Sequence, residues 1–529
     1  MAKHNDKNNF IVLAILLLVV LLSVAIRITY VPEEVGWDSY FIHGYALSIA
    51  EEGHVSWSMH PLSLWGLYPY SYASGVPAFL ASLSALTGLD VSTIIFFKSL
   101  LLGVLSVFSA YLMASAFFTS KSLRLLVALA FSVSLDVLYL TTWTTSARGL
   151  FIVFAPVLFF SLFKLNETKN VKYAFLSFII FLIMSLAHNM FLLGVLILLA
   201  FIAVRIIHSS ENLKHFFSHG KNAWIFLGAF IALIFLPHIK FFSSLIPFYS
   251  SRFFHSDYLL WGAEYLRSTG LLFPFFIAGF LVLLFKSERS LNEDFIVLFL
   301  LLSAPFIALR IYMATFLLPV ISLLVTIGLL QFYYFIKDLF DSKAIAGAAL
   351  GVLLVVAVSV SALFQVWHPD VFERRNEGIH ERYMEDSSKS LGSWLDESTS
   401  GRIISNDNVN NYRLNTVVPC RILYGEAEAL SCGFVSRDDI GVYWRSPADP
   451  LFWRESPVAA DYIFRYHMDF LVRSRQLGHP DAAGLISSKD IRYFLDYKSS
   501  GNNSLFVNSV RDSQNKVYDN RVNEVWHIT

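Results

Sequence analysis

Apolar residues persist over lengths that span a lipid core at eleven places: 10–29, 92–118, 122–140, 148–164, 172–187, 189–207, 222–240, 269–285, 294–309, 311–335 and 343–365. The pattern predicts about eleven transmembrane helices within residues 1–366. A further apolar stretch, Ala73 to Thr87, is short, contains Pro77 and ends at Gly88, so it reads as a helix lying on the membrane surface inside the first loop. That loop, residues 31–91, is the densest polar stretch between two spans. From Trp367 the apolar runs shorten, charges return, and Gly, Asn, Asp and Ser become frequent, so residues 367–529 read as a soluble α/β domain. Within it, Glu381 to Leu395 has helical spacing, with Met384, Leu391, Trp394 and Leu395 on one side. Arg402 to Ser405 and Phe470 to Val472 read as strands with a helix, Ala459 to Tyr466, between them; Ser504 to Val510 and Val522 to Ile528 read as closing strands.

Charge placement orients this pattern. With the N-terminus inside, fourteen Lys and Arg fall on cytoplasmic segments, from Lys3 and Lys7 to Lys337 and Lys343, against seven outside before the tail (Arg27, Lys98, Arg148, Lys240, Arg252, Arg267 and Arg310). Counting Ala73 to Thr87 as a span would invert every later helix. The expectation is a multi-pass cell-membrane protein with a cytoplasmic N-terminus and an extracytoplasmic C-terminal domain. Lys3 and Lys7 ahead of Ile11 to Ile26 resemble a signal-peptide layout, but no small-residue cleavage site follows, so the segment reads as a retained helix.

Composition narrows the class. The 529 residues are 56% hydrophobic and 15% charged, outside the range of ordinary soluble domains, and the net charge of +0 gives no reason to expect a nucleic-acid partner. Cys420 and Cys432 share the outer domain, where an oxidising compartment favours a disulfide; two cysteines without paired histidines are a weak metal signal. Neither G-x-G-x-x-G nor G-x-x-x-x-G-K-[ST] occurs, so a donor for group transfer would arrive through the membrane.

The first loop carries the candidate chemistry. It opens with Glu33, Glu34 and Gly36-Trp37-Asp38-Ser39-Tyr40, continues through His43, Ala50-Glu51-Glu52-Gly53, His54 and His60, and reaches Trp65 and Leu67-Tyr68-Pro69-Tyr70. Trp and Tyr also anchor loops at headgroup depth, and scattered histidines more often serve as hydrogen-bonded scaffolding than as ligands. Glu33 and Glu34, next to Pro32, read as an exposed pair. Ionisable residues inside the spans are few, and Lys98, Asp136 and Arg310 gather toward the outer leaflet. Snorkelling explains Lys98 and Arg310 more easily than the short-stemmed Asp136.

A first helix, an outer loop opening on an acid, many further helices and an outer soluble domain together resemble the GT-C membrane glycosyltransferases. The layout is similar to the catalytic subunit of oligosaccharyltransferase and to transferases that use polyprenyl-phosphate sugars. The resemblance implies a GT-C-like membrane domain and transfer, with inversion, of a sugar from a polyprenyl-phosphate-linked donor to a lipid, glycan or protein acceptor. It implies that Asp38 is the first-loop acid that orients the acceptor or serves as general base. Arg310 then meets the lipid-linked phosphate, with Lys98 and Arg148 as further cations, and Glu264, His60, His188 and Tyr68 fall on the acceptor side. Two departures bear on mechanism. Thr141-Thr142-Trp143-Thr144-Thr145-Ser146-Ala147-Arg148-Gly149 holds an arginine where oligosaccharyltransferase has an acidic motif, so a divalent metal would lose a ligand and is disfavoured without being excluded, and no cofactor is certain. The W-W-D-Y-G motif is absent, and Gly441-Val442-Tyr443-Trp444-Arg445 does not replace it, which disfavours transfer to protein asparagine.

Two other classes compete. A transporter or flippase of lipid-linked glycans would concentrate polar groups near the midplane, not at one face. A membrane-anchored assembly or binding protein would need far fewer helices. The orientation is tested by cysteine scanning: Ser56→Cys and Ser513→Cys should react with a membrane-impermeant thiol reagent in intact cells and Ser218→Cys should not, and labelling at Ser218 alone would reverse the map.

Overall fold

The computed structural model describes residues 2–28, 34–53, 65, 73–235, 258–307, 312–372, 384–406, 408–419, 421–423, 476–488, 490–498 and 504–528. The helices of the first part are α1 (Ala2–Ile26), α2 (Trp37–Glu52), α3 (Gly75–Thr87), α4 (Val91–Ser115), α5 (Lys121–Ser132), α6 (Leu135–Thr141), α7 (Ala147–Thr168), α8 (Val171–Ala187), α9 (Gly194–Ser209), α10 (Glu211–Ser218), α11 (Ala223–Phe235), α12 (Tyr258–Thr269), α13 (Phe273–Phe285), α14 (Leu291–Ser303), α15 (Tyr312–Phe340) and α16 (Lys343–Phe372). The C-terminal part holds α17 (Asp386–Ser398), β1 (Arg402–Ser405), α18 (Asn408–Asn415), β2 (Ile422–Leu423), α19 (Pro480–Ser488), β3 (Ile491–Tyr497), α20 (Leu505–Asp512), β4 (Lys516–Asp519) and β5 (Asn523–His527). The molecule is thus a polytopic helical membrane protein with a small C-terminal sheet, as the apolar pattern predicts. Two compact units divide it: residues 1–29, 99–142 and 148–367 form one, and residues 30–98, 143–147 and 368–529 form the other.

A helix stands at each of the eleven predicted spans, but eleven crossings do not follow from helix length. Among the described residues seven helices are long and apolar enough to cross a membrane, and an eighth span results if α5 and α6, bent by 57°, count as one. Val171–Ala187 and Gly220–Phe235 are shorter apolar helices. The span expected at 294–309 is α14 of 13 residues followed by a 3-10 turn, Ala304–Phe306. Pro305, which lacks an N–H, sits where the helix gives way to that turn. The outer loop expected over 241–267 is helical from Tyr258 onward, and residues 236–257 lie outside the described residues.

In the first unit, α15 is the central element, and Met313, Phe316, Val320, Leu324 and Leu329 along it are all buried. It packs closely on α13 because glycines face backbone at the crossing. A Cβ on Gly279 would lie 1.8 Å from the Leu324 carbonyl oxygen, and one on Gly328 would lie 2.1 Å from that of Phe275. Phe159, Phe163, Phe295, Phe299 and Phe316 interlock nearby at centroid separations of 5.4–6.0 Å. The charged groups at the α9–α14 contact are paired. Arg289 Nε donates to Asp294 Oδ1 at 2.8 Å, both side chains fully buried, while His208 and Ser218 bond the other carboxylate oxygen.

The C-terminal sheet has the order β2-β1-β3-β5-β4, parallel through β2, β1 and β3 and antiparallel through β5 and β4. Neighbouring residues serve opposite faces, as strand alternation requires. Ile403, Leu495 and Val525 pack with Leu391, Leu395 and Leu414 from α17 and α18, whereas Ile404, Phe494 and Trp526 pack with Ile486 of α19 and Phe506, Val507 and Val510 of α20. The strands expected at 402–405 and 522–528 are present. Ser504 to Val510, read as a strand, is instead α20: Phe506, Val507 and Val510 share one helical face, and the Ser504 hydroxyl caps the Val507 N–H. The strand at 470–472, the helix at 459–466 and both cysteines lie outside the described residues.

Two consequences are measurable. Gly279→Ala should destabilise the protein by about 1–3 kcal/mol through overpacking against α15, seen as a lowered melting midpoint in detergent. Gly347→Ala, with nothing within 4 Å of its added Cβ, should leave the midpoint unchanged or raise it slightly. For topology mapping, Ser218 is buried and bonded to Asp294, so the exposed Ser287 between α13 and α14 is the better cysteine position on that predicted side.

Candidate active site

Gly36 precedes α2 with φ 98°, a conformation that side-chain-bearing residues avoid, and lets the chain enter the helix abruptly. Asp38 therefore falls in the first turn, where the helix dipole favours a carboxylate, and it is exposed. Its neighbours are fixed by Trp143–Ala147. Val35 N donates to Trp143 O at 2.8 Å, and Thr145 N donates to Ser39 Oγ at 3.0 Å. Trp143 adopts φ 51°, a left-handed strain held in place by these bonds and by its edge-on contact with Phe96 at 5.0 Å.

The loop opposite α2 holds two hydroxyls that nothing in the protein satisfies. Thr145 Oγ1 and Ser146 Oγ are buried without a hydrogen-bond partner, at a cost of about 1–3 kcal/mol each. Lys98, two positions along α4 from Phe96, is 5% exposed and its Nζ also lacks a partner. A buried ammonium without a counter-charge is costlier still.

Beneath Asp38 the helix is braced. Tyr40, Tyr45 and Ala46 are fully buried, and His43 Nδ1 pairs with Glu34 Oε1. The Tyr40 hydroxyl donates to Glu34 O at 3.0 Å. Glu34, expected exposed, is thus 2% exposed and committed to His43, which removes it as a competitor to Asp38. Asp90 caps α4 through the Thr93 N–H and hydroxyl, and these bonds, the backbone one first, hold its carboxyl below the usual range, aided by the nearby His43.

The other anticipated residues scatter. Arg310, His60 and Tyr68 lie outside the described residues. Glu264 belongs to α12, not to a loop, and its side chain is not described. Arg148 is half-buried in the first turn of α7. His188 caps a 3-10 turn, its Nδ1 accepting from Met190 N at 3.0 Å. Asp136 is buried in the first turn of α6 and accepts from Ser268 and Thr315 at 2.8 and 3.0 Å. Ser39, Thr145 and Ser146 were not singled out from the sequence, although the hydroxyl run Thr141 to Ser146 is a visible signal. Among the described residues no three His, Cys, Asp or Glu gather as a metal site. A hard divalent cation takes several oxygen ligands, chiefly carboxylates, and Trp143–Ala147 supplies hydroxyls and no carboxylate.

No protein-family model matches the sequence, and no curated protein matches it by sequence. Solved structures do match. The archaeal oligosaccharyltransferase AglB from Archaeoglobus fulgidus, in complex with an inhibitory peptide and a dolichol-phosphate, is 12% identical with a TM-score of 0.58, over 93% of this chain and 70% of that one. The mycobacterial arabinofuranosyltransferase AftD is 15% identical with a TM-score of 0.49, over 97% of this chain and 41% of that one. The likeness to AglB extends over 93% of this chain, and what the two proteins share is the fold.

Proposed function

We propose that this protein is a membrane glycosyltransferase that moves a sugar from a polyprenyl-phosphate-linked donor to a hydroxyl acceptor on the extracytoplasmic face, with inversion. The observation that carries the reading is the exposed Asp38 at the start of α2, whose neighbour Ser39 accepts from a loop holding two unsatisfied hydroxyls, in the same compact unit as the buried Lys98, whose Nζ has no partner. AglB supports it at the level of fold, and its bound dolichol-phosphate is the donor chemistry expected here. The missing sequon-reading motif favours a lipid or glycan acceptor over protein.

The chemistry follows from the residue types. Asp38 accepts the acceptor's O–H proton as the freed oxygen attacks the anomeric carbon, and the bond from that carbon to the phosphate oxygen breaks. The polyprenyl phosphate leaves with the bonding pair. Lys98 stabilises the developing charge in a dry site, where a fixed cation is worth most. Arg310 and Arg148 are further candidates for that phosphate, and Glu264, His60, His188 and Tyr68 for acceptor contacts.

One observation favours transport as a second reading: Asp136 is buried beside the 57° break between α5 and α6, and buried ionisable groups at discontinuous helices mark transport pathways. Purified protein incubated with a panel of polyprenyl-phosphate sugars separates the two, because only a transferase or its hydrolytic side reaction releases lipid phosphate detectable by mass spectrometry. Asp38→Asn should lower that release by about two to four orders of magnitude while donor binding and melting stay near wild type. Full activity in Asp38→Asn would remove the assignment. Lys98→Met, which replaces an unpaired buried charge by an apolar isostere, should raise the melting midpoint yet weaken polyprenyl-phosphate binding by about tenfold. Unaltered binding would assign Lys98 to structure alone.

A further inference from the structure

The helix α18, Asn-Val-Asn-Asn-Tyr-Arg-Leu-Asn, is short and polar, yet residues 411–415 are all buried. Within that stretch Asn411 Oδ1 and both amide atoms of Asn415 have no hydrogen-bond partner, although the residues are 2% and 1% exposed. At about 100° per residue the two asparagines lie about 40° apart on one face. On one flank of that face Tyr412 meets the ring of Phe41 on α2 edge-on at 6.2 Å. On the other flank Leu414 enters the sheet core beside Ile403 and Ile422. The amides are therefore set in the seam between α2 and the sheet. Asp38 lies one helical turn before Phe41, on the same side of α2.

We infer that Asn411 and Asn415 are a recognition site for a carbohydrate acceptor, their amides holding neighbouring hydroxyls of the sugar whose reacting hydroxyl meets Asp38. This rests on the transferase reading and names the acceptor class for the same site. The two unpaired Oδ1 atoms require hydrogen donors, which a phosphate or carboxylate lacks. Asn415 offers an acceptor and a two-proton donor side by side, the complement of a vicinal diol in which each hydroxyl both donates and accepts. The adjoining rings of Tyr412 and Phe41 are of the kind that pack against the C–H face of a sugar. A buried amide left unpaired by the protein is satisfied on both counts by such a ligand.

The test uses the full-length protein in detergent and diazirine-bearing methyl pentosides and hexosides as photoprobes, with labelled peptides mapped by mass spectrometry. At least one methyl glycoside should label residues 408–415 of the wild type, with competition by the unmodified glycoside. Asn411→Leu with Asn415→Leu should lower labelling about tenfold or more, without lowering the melting midpoint, because no buried amide is left unpaired. Asn415→Ser provides a milder variant should the double change fail to fold, and Asp38→Asn should label like wild type. Absence of labelling in the wild type, equal labelling in the variants, or capture of an acetylated peptide probe at this seam instead would overturn the inference. Labelling that persists in a protein releasing no polyprenyl phosphate would overturn the transferase reading and keep the sugar site.

Discussion

A hydrogen-bonding group removed from water must find another partner, and much of this molecule is organised by that requirement. Arg27 shows it in the membrane unit. Its fully buried guanidinium donates to the Ser23 backbone and hydroxyl oxygens at 2.7 and 2.8 Å, to Thr141 at 2.9 Å and to the Ser132 carbonyl at 3.3 Å, tying α1 to both sides of the α5–α6 break. Gly103 is what admits it, since a Cβ there would lie 2.9 Å from the arginine stem. Asp136 is satisfied by Ser268 and Thr315, and Asp294 by Arg289, His208 and Ser218. Each of these charges joins helices distant in sequence, and each has its donors or acceptors inside the protein.

The same requirement is unmet at some buried side-chain atoms in both compact units, Asn166 and Ser303 in one of them, and several lie in the unit that holds Asp38. Lys98 Nζ, Thr145 Oγ1, Ser146 Oγ, Asn411 Oδ1 and both amide atoms of Asn415 are buried without partners among protein atoms. Every one of them lowers the stability of the chain alone, and their chemistries differ in a useful way: an ammonium suits an anion, whereas amides and hydroxyls suit a polyol. A donor carrying phosphate and an acceptor carrying hydroxyls would complete both sets. The paired charges of the membrane unit read as construction.

Long apolar runs located the helices because spanning a lipid core needs little beyond length and composition, so the polytopic class and the change of character at Trp367 were legible in the amino-acid sequence. The turn ahead of Asp38 was legible too, since Gly36 adopts the positive φ that an abrupt entry into α2 demands. Short amphipathic segments were less so. Ser504 to Val510 fits alternation and helical spacing alike, and only its docking on Phe494 and Trp526 decides for the helix. β3 escaped notice because a central strand buried on both faces, Ile-Arg-Tyr-Phe-Leu-Asp-Tyr, shows no clean alternation.

Pairing across the chain lay beyond any local pattern. Glu34 looked like an exposed acid until Tyr40 and His43 closed over it, and the Thr141–Gly149 stretch looked like a departure from a motif until Thr145 was found bonded to Ser39, 106 positions away. The sequence by itself determined the polytopic helical class, because hydrophobicity acts locally. Which polar groups would be satisfied and which left waiting was decided by tertiary structure alone, because a hydrogen bond depends on the distance between two side chains in space and carries no trace of their separation along the chain.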